Sequence, residues 1–197
     1  MGEVKGQGQS PSRLREGLGV GHSPAGTVSP TSPPPAPPAS GRGAFWEQPL
    51  DKLSRAEWEA LCDGCGQCCL HKLADEDTGE VHFTNVSCRL LDTKTAQCKD
   101  YRNRLAHVPD CLRLTPAKLT QYGWLPATCA YRLRAANKPL YAWHYLISGD
   151  RDSVHRAGIS VRGRVISEDL AGPIEQHVLT GEANWTLGLG GDEPGNA

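Results

Sequence analysis

The hydrophobic and polar positions of the chain fall into two regimes that meet at about Phe45. Before it, "SPTSPPPAPPAS" (29–40) offers no apolar groups whose burial could offset the entropy of ordering, and eight of the fifteen prolines lie in the first 44 residues. That composition reads as polyproline II or disordered chain. After Phe45 the pattern is that of a folded domain made of short elements. Ser54 and Glu57 have the spacing of a capping box, flanked by Leu53 and Trp58 as its hydrophobic staple, and predict a helix starting at Arg55. Asp63, Gly64 and Gly66 end that helix. Thr115 followed by Pro116 marks a second helix start, and "CAYRLRAAN" (129–137) a third helix that stops before Pro139. "ISVRGRVIS" (159–167) alternates, with Ile159, Val161 and Val165 on one face, and predicts a strand. "PIEQHVL" (173–179), stopped by Gly181, predicts a last short helix, and the Gly-rich end from Gly188 is expected to fray. The expected layout is a disordered Pro/Gly-rich tail over 1–44, one domain over 45–187 and a flexible C-terminus over 188–197.

Composition narrows the function classes. With 197 residues, 38% apolar and 22% charged, the chain has material for one ordinary core. A formal net charge of -1 gives no global pull toward nucleic acid or a membrane surface. The charge is unevenly spread: residues 99–138 hold eight Lys or Arg against two Asp, whereas residues 72–92 hold five acids against two bases. The basic segment, with Tyr101, Tyr122, Trp124 and Tyr131 interleaved, leaves an RNA-binding reading open. Aromatics in "YGW" and "YAWHYL" read more simply as core. No apolar run of about 18 residues suggests a membrane span, and the first 30 residues contain no apolar stretch ahead of a small-residue cleavage site. A cytoplasmic location with reduced thiols is therefore the expectation.

The chemistry concentrates in "CDGCGQCCLHKL" (62–73), where Cys62, Cys65, Cys68 and Cys69 occupy eight positions. Cys88, Cys98, Cys111 and Cys129 follow at loop-and-return distances. A C-x2-C step lets two thiolates reach one tetrahedral zinc or one iron–sulfur cluster, and glycines between sulfurs let backbone N–H groups turn toward the thiolates. The run departs from ferredoxin spacing, since the third cysteine is followed at once by Cys69 and Leu70. Adjacent cysteines point in different directions, so Cys68 and Cys69 are expected to serve different sites, or a site and the core. Against metal binding stand ordinary burial of single cysteines, a disulfide scaffold that needs an oxidising compartment, and thiol exchange, which needs only two of the eight.

From about Phe45 to Leu179 the chain resembles the bacterial cysteine-cluster proteins of YcgN and YkgJ type, described as zinc- or iron-chelating domains with a CxxCxxCC signature. The stretches that carry the likeness are "EWEALCDGCGQCCLHKL", "DEDTGEVHFTNVSCRLLD", "QCKDYRNR", "PDCLRLT" and "WLPATCAYRL". The resemblance implies metal-ligand candidacy for Cys62, Cys65, Cys68, Cys69, Cys88, Cys98, Cys111 and Cys129, with zinc or an iron–sulfur cluster as cofactor, and implies no particular reaction. Where close relatives can read "TCQC", this chain has "TAQC", with Ala96 at the first cysteine's position. The expected fold class is α+β: small and loop-rich, mainly short helices with a few strands, organised around the cysteine metal site.

Other residues have plainer readings. His71 is read as a solvent-facing or supporting histidine in preference to a ligand. "DEDTGE" (75–80) places Glu80 and Val86 where a calcium-binding EF-hand loop needs Gly and Glu, so it reads as a solvated acidic turn. Arg104, just after Cys98 and Tyr101, is open to a role beside a thiolate or to a surface ion pair. Three functions follow. The first, and favoured, is a metal-binding module whose metal is structural, or is passed to or sensed for a protein partner. The second is a redox or metal-dependent enzyme, for which the sequence shows no nucleotide loop or acid/base pair and no catalytic residue is assigned. The third is a zinc-stabilised RNA or protein interaction module.

Overall fold

The computed structural model describes residues 4–6 and 44–180, so most of the expected tail, the Gly181 stop and the Gly-rich end lie outside the described residues. The fold is mixed α+β, with no helix longer than six residues among those described. A four-stranded sheet runs in the order β1 (Val4–Gly6), β2 (Leu70–Asp75), β3 (Val81–Ser87) and β6 (Ile166–Ser167). β1–β2 and β2–β3 are antiparallel, and β3–β6 is parallel through Val86↔Ile166 and Ser87↔Ser167. A separate two-stranded ladder joins β4 (Leu91–Asp92) to β5 (Gln97–Cys98).

The β2–β3 hairpin turns on the acidic segment that was rejected as a calcium loop. Asp75 Oδ1 accepts the N–H groups of Asp77 at 3.0 Å and Thr78 at 2.8 Å, closing the turn by local side-chain bonding. The register slips between Leu70 and Lys72, where β3 carries the extra residues. Thr84, fully buried, repairs the slip: its hydroxyl donates to the His71 carbonyl at 2.8 Å and accepts the Val86 N–H at 3.2 Å.

The helices follow the sequence reading with one change of type. α1 (Arg55–Ala60) starts at the predicted capping box, with Ser54 N–H donating to Glu57 Oε2 at 2.8 Å and Glu57 N–H to Ser54 Oγ at 3.3 Å. α3 (Ala130–Ala135) sits where the third helix was expected. The segments after Thr115 and Pro173 are 3-10 turns, Pro116–Gln121 and Ile174–His177, neither with a side-chain cap. Three one-turn helices, α2 (Arg104–His107), α4 (Tyr145–Ser148) and α5 (Ser153–Arg156), carried no sequence signal.

The strand expected over 159–167 is corrected: only Ile166–Ser167 pairs as a strand. Ile159 and Val161 are buried as the alternation implied, but Gly163 takes a left-handed turn at φ +71° and the Val161 N–H goes to the Cys65 carbonyl at 2.9 Å instead of to a neighbouring strand. The apolar alternation recorded burial against the cysteine loop and not sheet pairing.

Two cores result. One gathers Leu61, Leu119, Leu125, Ala130, Tyr131, Leu133 and Leu140 between α1, the 116–121 turn and α3. The other gathers Leu70, Phe83, Leu91, Ala96 and Val161 over the sheet and the β4–β5 ladder. Trp124 packs against both, and the cysteine loop runs along the seam.

Candidate metal centre

The loop that carries the first four cysteines is shaped by its glycines. α1 ends at Leu61; Gly64 and Gly66 take φ of +78° and +77°, a region that costs a residue with a Cβ about 1–2 kcal/mol. Between them Asp63 Oδ1 accepts the Cys65 N–H at 2.9 Å. A 3-10 turn, Gln67–Cys69, follows and hands the chain to β2, with the Cys69 N–H bonded to the Gly66 carbonyl at 2.9 Å. Gln67 is fully buried and pins the loop from below, its Nε2 donating to the Ile159 carbonyl at 2.7 Å.

The later cysteines return to this loop by separate routes. Cys88 ends β3 with its N–H on the Cys69 carbonyl at 3.0 Å. Cys98 lies opposite Leu91 in the β4–β5 ladder. Cys111 closes a turn after α2 through the Val108 carbonyl at 2.9 Å. Cys129 occupies the position before α3, and α3 is tied to α1 by the Tyr131 hydroxyl, which donates to the Trp58 carbonyl at 2.8 Å. Cys62 is exposed, Cys88 buried and the other six half-buried, and none of the eight is in a disulfide among the described residues.

A single local device recurs. The sulfur of Cys88 accepts the N–H of Leu90, two residues on, at 3.4 Å. Backbone N–H groups also act on Cys62 from Gly64, on Cys65 from Gln67, on Cys98 from Asp100 and on Cys129 from Arg132. Each such N–H favours the thiolate over the thiol. Burial works the other way, pushing the Cys129 thiol up to about 12 and the Cys111 thiol up to about 11. Cys68 is the exception, held below the usual thiol range by a hydrogen bond from the Cys69 thiol and by the Lys72 charge.

Two charged residues that sequence reasoning passed over belong to this centre. Lys72 is 1% exposed. Its Nζ donates to the carbonyls of Gln67 at 3.3 Å, Cys68 at 3.2 Å and Leu70, and lies 4.3 Å from the Trp124 ring centroid and 5.0 Å from that of Phe83. Desolvation lowers its pKa to about 8, while the neighbouring Cys68, Cys69 and Cys65 pull it back up. Asp63 read only as a helix breaker, yet its Oδ2 is buried with no hydrogen-bond partner among the described residues and its charge is felt by Cys62, Cys65 and Cys129. A buried carboxylate oxygen without a donor is costly unless a cation completes it.

His71 does not join the sulfurs. It is buried and its Nε2 lies 2.8 Å from Glu168 Oε2, which holds the Glu168 carboxyl below its ordinary range. Arg104 makes no ion pair among the described residues: it stacks over the Tyr101 ring at 3.9 Å and donates to the Tyr101 carbonyl at 2.7 Å, with its charge acting on Cys98 and Cys111. Tyr101 itself donates to Glu59 Oε2 at 2.6 Å, joining the second half of the chain to α1.

Among the described residues no three His, Cys, Asp or Glu side chains are already drawn into a metal-gripping set. The donor chemistry suits a thiophilic ion or cluster: cysteine sulfurs on and around the 62–69 loop, and one carboxylate oxygen lacking a partner among the described residues. The thiolates would be the ligands, with Lys72 and Arg104 offsetting their charge.

The comparisons agree in kind. Residues 61–130 match the CxxCxxCC family, described as "Putative zinc- or iron-chelating domain". The chain is 59% identical over 141 residues to a UPF0260 protein of Rhizorhabdus wittichii, covering 71% of this chain and 97% of that one. It is 56% identical over 137 residues to a UPF0260 protein of Granulibacter bethesdensis, at 69% and 82% coverage, and 58% identical over 132 residues to one of Mesorhizobium japonicum, at 66% and 89%. No solved structure matches the chain. No helix of the described residues is long and apolar enough to cross a membrane. With residues 61–130 matching the cysteine-cluster model and more than half of the aligned positions identical to these relatives, the chain belongs to the UPF0260 family of cysteine-cluster proteins.

Proposed function

We propose that this protein is a cytoplasmic metal-binding module that holds zinc or an iron–sulfur cluster through Cys62, Cys65, Cys68, Cys69, Cys88, Cys98, Cys111 and Cys129, with a metal that is structural or is passed to or sensed for a protein partner. The observation that carries this reading is the return of Cys88, Cys111 and Cys129 to the 62–69 loop, Cys88 through its N–H on the Cys69 carbonyl, Cys111 through its charge at Cys69 and Cys129 through its charge at Cys62. Backbone N–H groups at the sulfurs stabilise thiolates, and thiolates bind metal. Eight cysteines without a disulfide among the described residues also suit a reducing compartment better than a disulfide scaffold.

The test is metal analysis with an ultraviolet–visible spectrum on protein purified without oxygen and without added metal. Iron with acid-labile sulfide and a brown colour identifies an iron–sulfur protein; near-stoichiometric zinc in a colourless protein identifies a zinc module. Cys65→Ser is expected to lose metal and much of the fold, because binding free energy is folding free energy in such a domain. Wild type with neither metal, or Cys65→Ser with undiminished metal, sinks the reading.

A further inference from the structure

We infer that the face built around Arg89 joins two copies of this chain in an isologous dimer, the groups on one side of Arg89 being complementary to those on the other across a two-fold axis. None of the side chains involved is among the proposed metal ligands, so the inference goes beyond the metal-binding reading and stands apart from it.

Arg89 knits three segments together at the surface. Its backbone N–H donates to Glu168 Oε1 at 2.8 Å, its Nη1 lies 3.4 Å from the same oxygen, and its Nη2 donates to the His107 carbonyl at 2.6 Å. The Lys99 ammonium in turn donates to the Arg89 carbonyl at 3.1 Å. These bonds hold the turn after β6 on one side of Arg89 and α2 on the other. Each side carries an exposed leucine: Leu170, 76% exposed, on the turn, and Leu105, 38% exposed, on α2. The backbone under Leu170 is braced. Its N–H closes the turn on the Ser167 carbonyl at 2.9 Å, the Glu168 N–H donates to the Ser87 carbonyl at 2.8 Å, and Glu168 Oε2 lies 2.8 Å from buried His71. A leucine presented on an ordered backbone has less conformational entropy to lose when a partner covers it, which suits it to anchor an interface.

The charges divide in the same way. Lys99 and Arg102, both exposed, lie toward α2, whereas exposed Asp169 stands next to Leu170. Between them the charges are spent within the chain: Arg89 on Glu168, and Asp100 on Asn103 and on His107, both at 3.1 Å. A two-fold axis near Arg89 turns the α2 side of one copy onto the turn side of the other, so that Leu105 meets Leu170 and Lys99 meets Asp169, each pair twice. A face of one sign would call for a partner of the other; this one carries its own complement, with apolar groups among opposite charges as in the centre and rim of a protein interface. The same mixture disfavours RNA, whose phosphates would meet Asp169 with like charge.

The experiment follows the mass of the full chain, purified under reducing conditions, by sedimentation equilibrium and native mass spectrometry as it is diluted. The expected result is a dimer that dissociates on dilution. Leu170→Asp is expected to raise the dimer Kd; because the two-fold presents the change twice, a roughly 10-fold cost per contact becomes roughly 100-fold. Ile147→Asp, at an isoleucine 48% exposed on α4, is the control and is expected to leave the Kd unchanged. Lys99→Glu and Asp169→Lys are each expected to weaken the dimer alone, and an equal mixture of the two to recover it as a heterodimer, since both cross-pairs then regain opposite charge. Circular dichroism shows that each variant keeps its fold, and the dilution of wild type stands even if one does not. A chain that is monomeric at every concentration overturns the inference, whether or not that monomer binds RNA or a different protein through this face. So does a dimer that withstands Leu170→Asp, or a mixture without preference for the heterodimer. Metal analysis of the same samples reads the metal-binding proposal separately.

Discussion

Replacing Gly66 by alanine probes the seam on which the cysteine loop sits without touching a sulfur. A Cβ at Gly66 lies 2.7 Å from Val161 Cγ2, 3.5 Å from the Ala96 carbonyl oxygen and 3.6 Å from Ala96 Cβ, on a backbone at φ +77°. Val161 is fully buried, so its isopropyl group has no open space into which to rotate away from the added carbon. The left-handed backbone costs about 1–2 kcal/mol and the overlap about 1–3 kcal/mol, for a loss of roughly 2–5 kcal/mol. For a chain of this size that is a fall of roughly 5–15 °C in Tm. Gly64→Ala is the control, because Gly64 shares the conformation at φ +78° but has open space around the added carbon. It is expected to lose only about 1–2 kcal/mol. Thermal and urea unfolding followed by circular dichroism, on metal-loaded protein under reducing conditions, separates the two. Adding Val161→Ala to Gly66→Ala is expected to return the overlap component as a coupling of about 1–3 kcal/mol. Equal losses for the two glycines, or strict additivity with Val161→Ala, would refute the proposed contact between the loop and the 159–161 segment.

The remaining predictions concern the charged groups. Lys72→Met, which keeps the bulk and removes the ammonium beneath Cys68, is expected to weaken zinc affinity roughly 10–100-fold in a competition titration with a chromophoric chelator; unchanged affinity would mean that the charge is irrelevant to the thiolates. His71→Ala is expected to leave metal stoichiometry unchanged but to cost about 1–3 kcal/mol in urea unfolding, since it strands Glu168 in a half-buried pair. Acid should weaken the fold in two stages. His144, 1% exposed and held neutral by burial, has a lowered pKa; the unfolded chain binds its proton first, so this stability is whole above about 6.5 and is lost as pH falls below it. The Glu168 carboxyl, also lowered, contributes above its ordinary value of about 4.3 and loses that contribution as pH falls further. Identical urea midpoints at pH 7.5 and 5.5 would contradict the His144 stage.

Local signals were legible and through-space ones were not. The capping box set the start of α1 to the residue because it is written in four consecutive positions, and the eight cysteines stood out because their type is rare and their spacing regular. The β2 strand escaped notice because Leu70 through Ala74 are all buried, so the strand has no polar face to alternate with, and its central lysine reads as solvent-exposed in any pattern. Only the tertiary cage of three carbonyls and two rings makes that lysine a core residue. His71 is buried for a similar reason: its partner Glu168 is 97 positions away and no local rule connects them. The alternation at 159–167 did report burial, but what Val161 is buried against is a loop almost a hundred residues earlier, so the inference from alternation to strand failed.

The bonds from Val161 to Cys65 and from Gln67 to Ile159 set a clock on biosynthesis. The loop with the four densest thiols is made first, and the segment that pins it is made about a hundred residues later. At roughly 5–20 residues per second of synthesis, the interval is on the order of 5–20 s. During that time Cys62, Cys65, Cys68 and Cys69 travel as an unbraced run of thiols on the nascent chain, able to meet an oxidant or the wrong ion before their own architecture exists. The bracing of the loop is therefore a late event, completed only once the ribosome has passed residue 161.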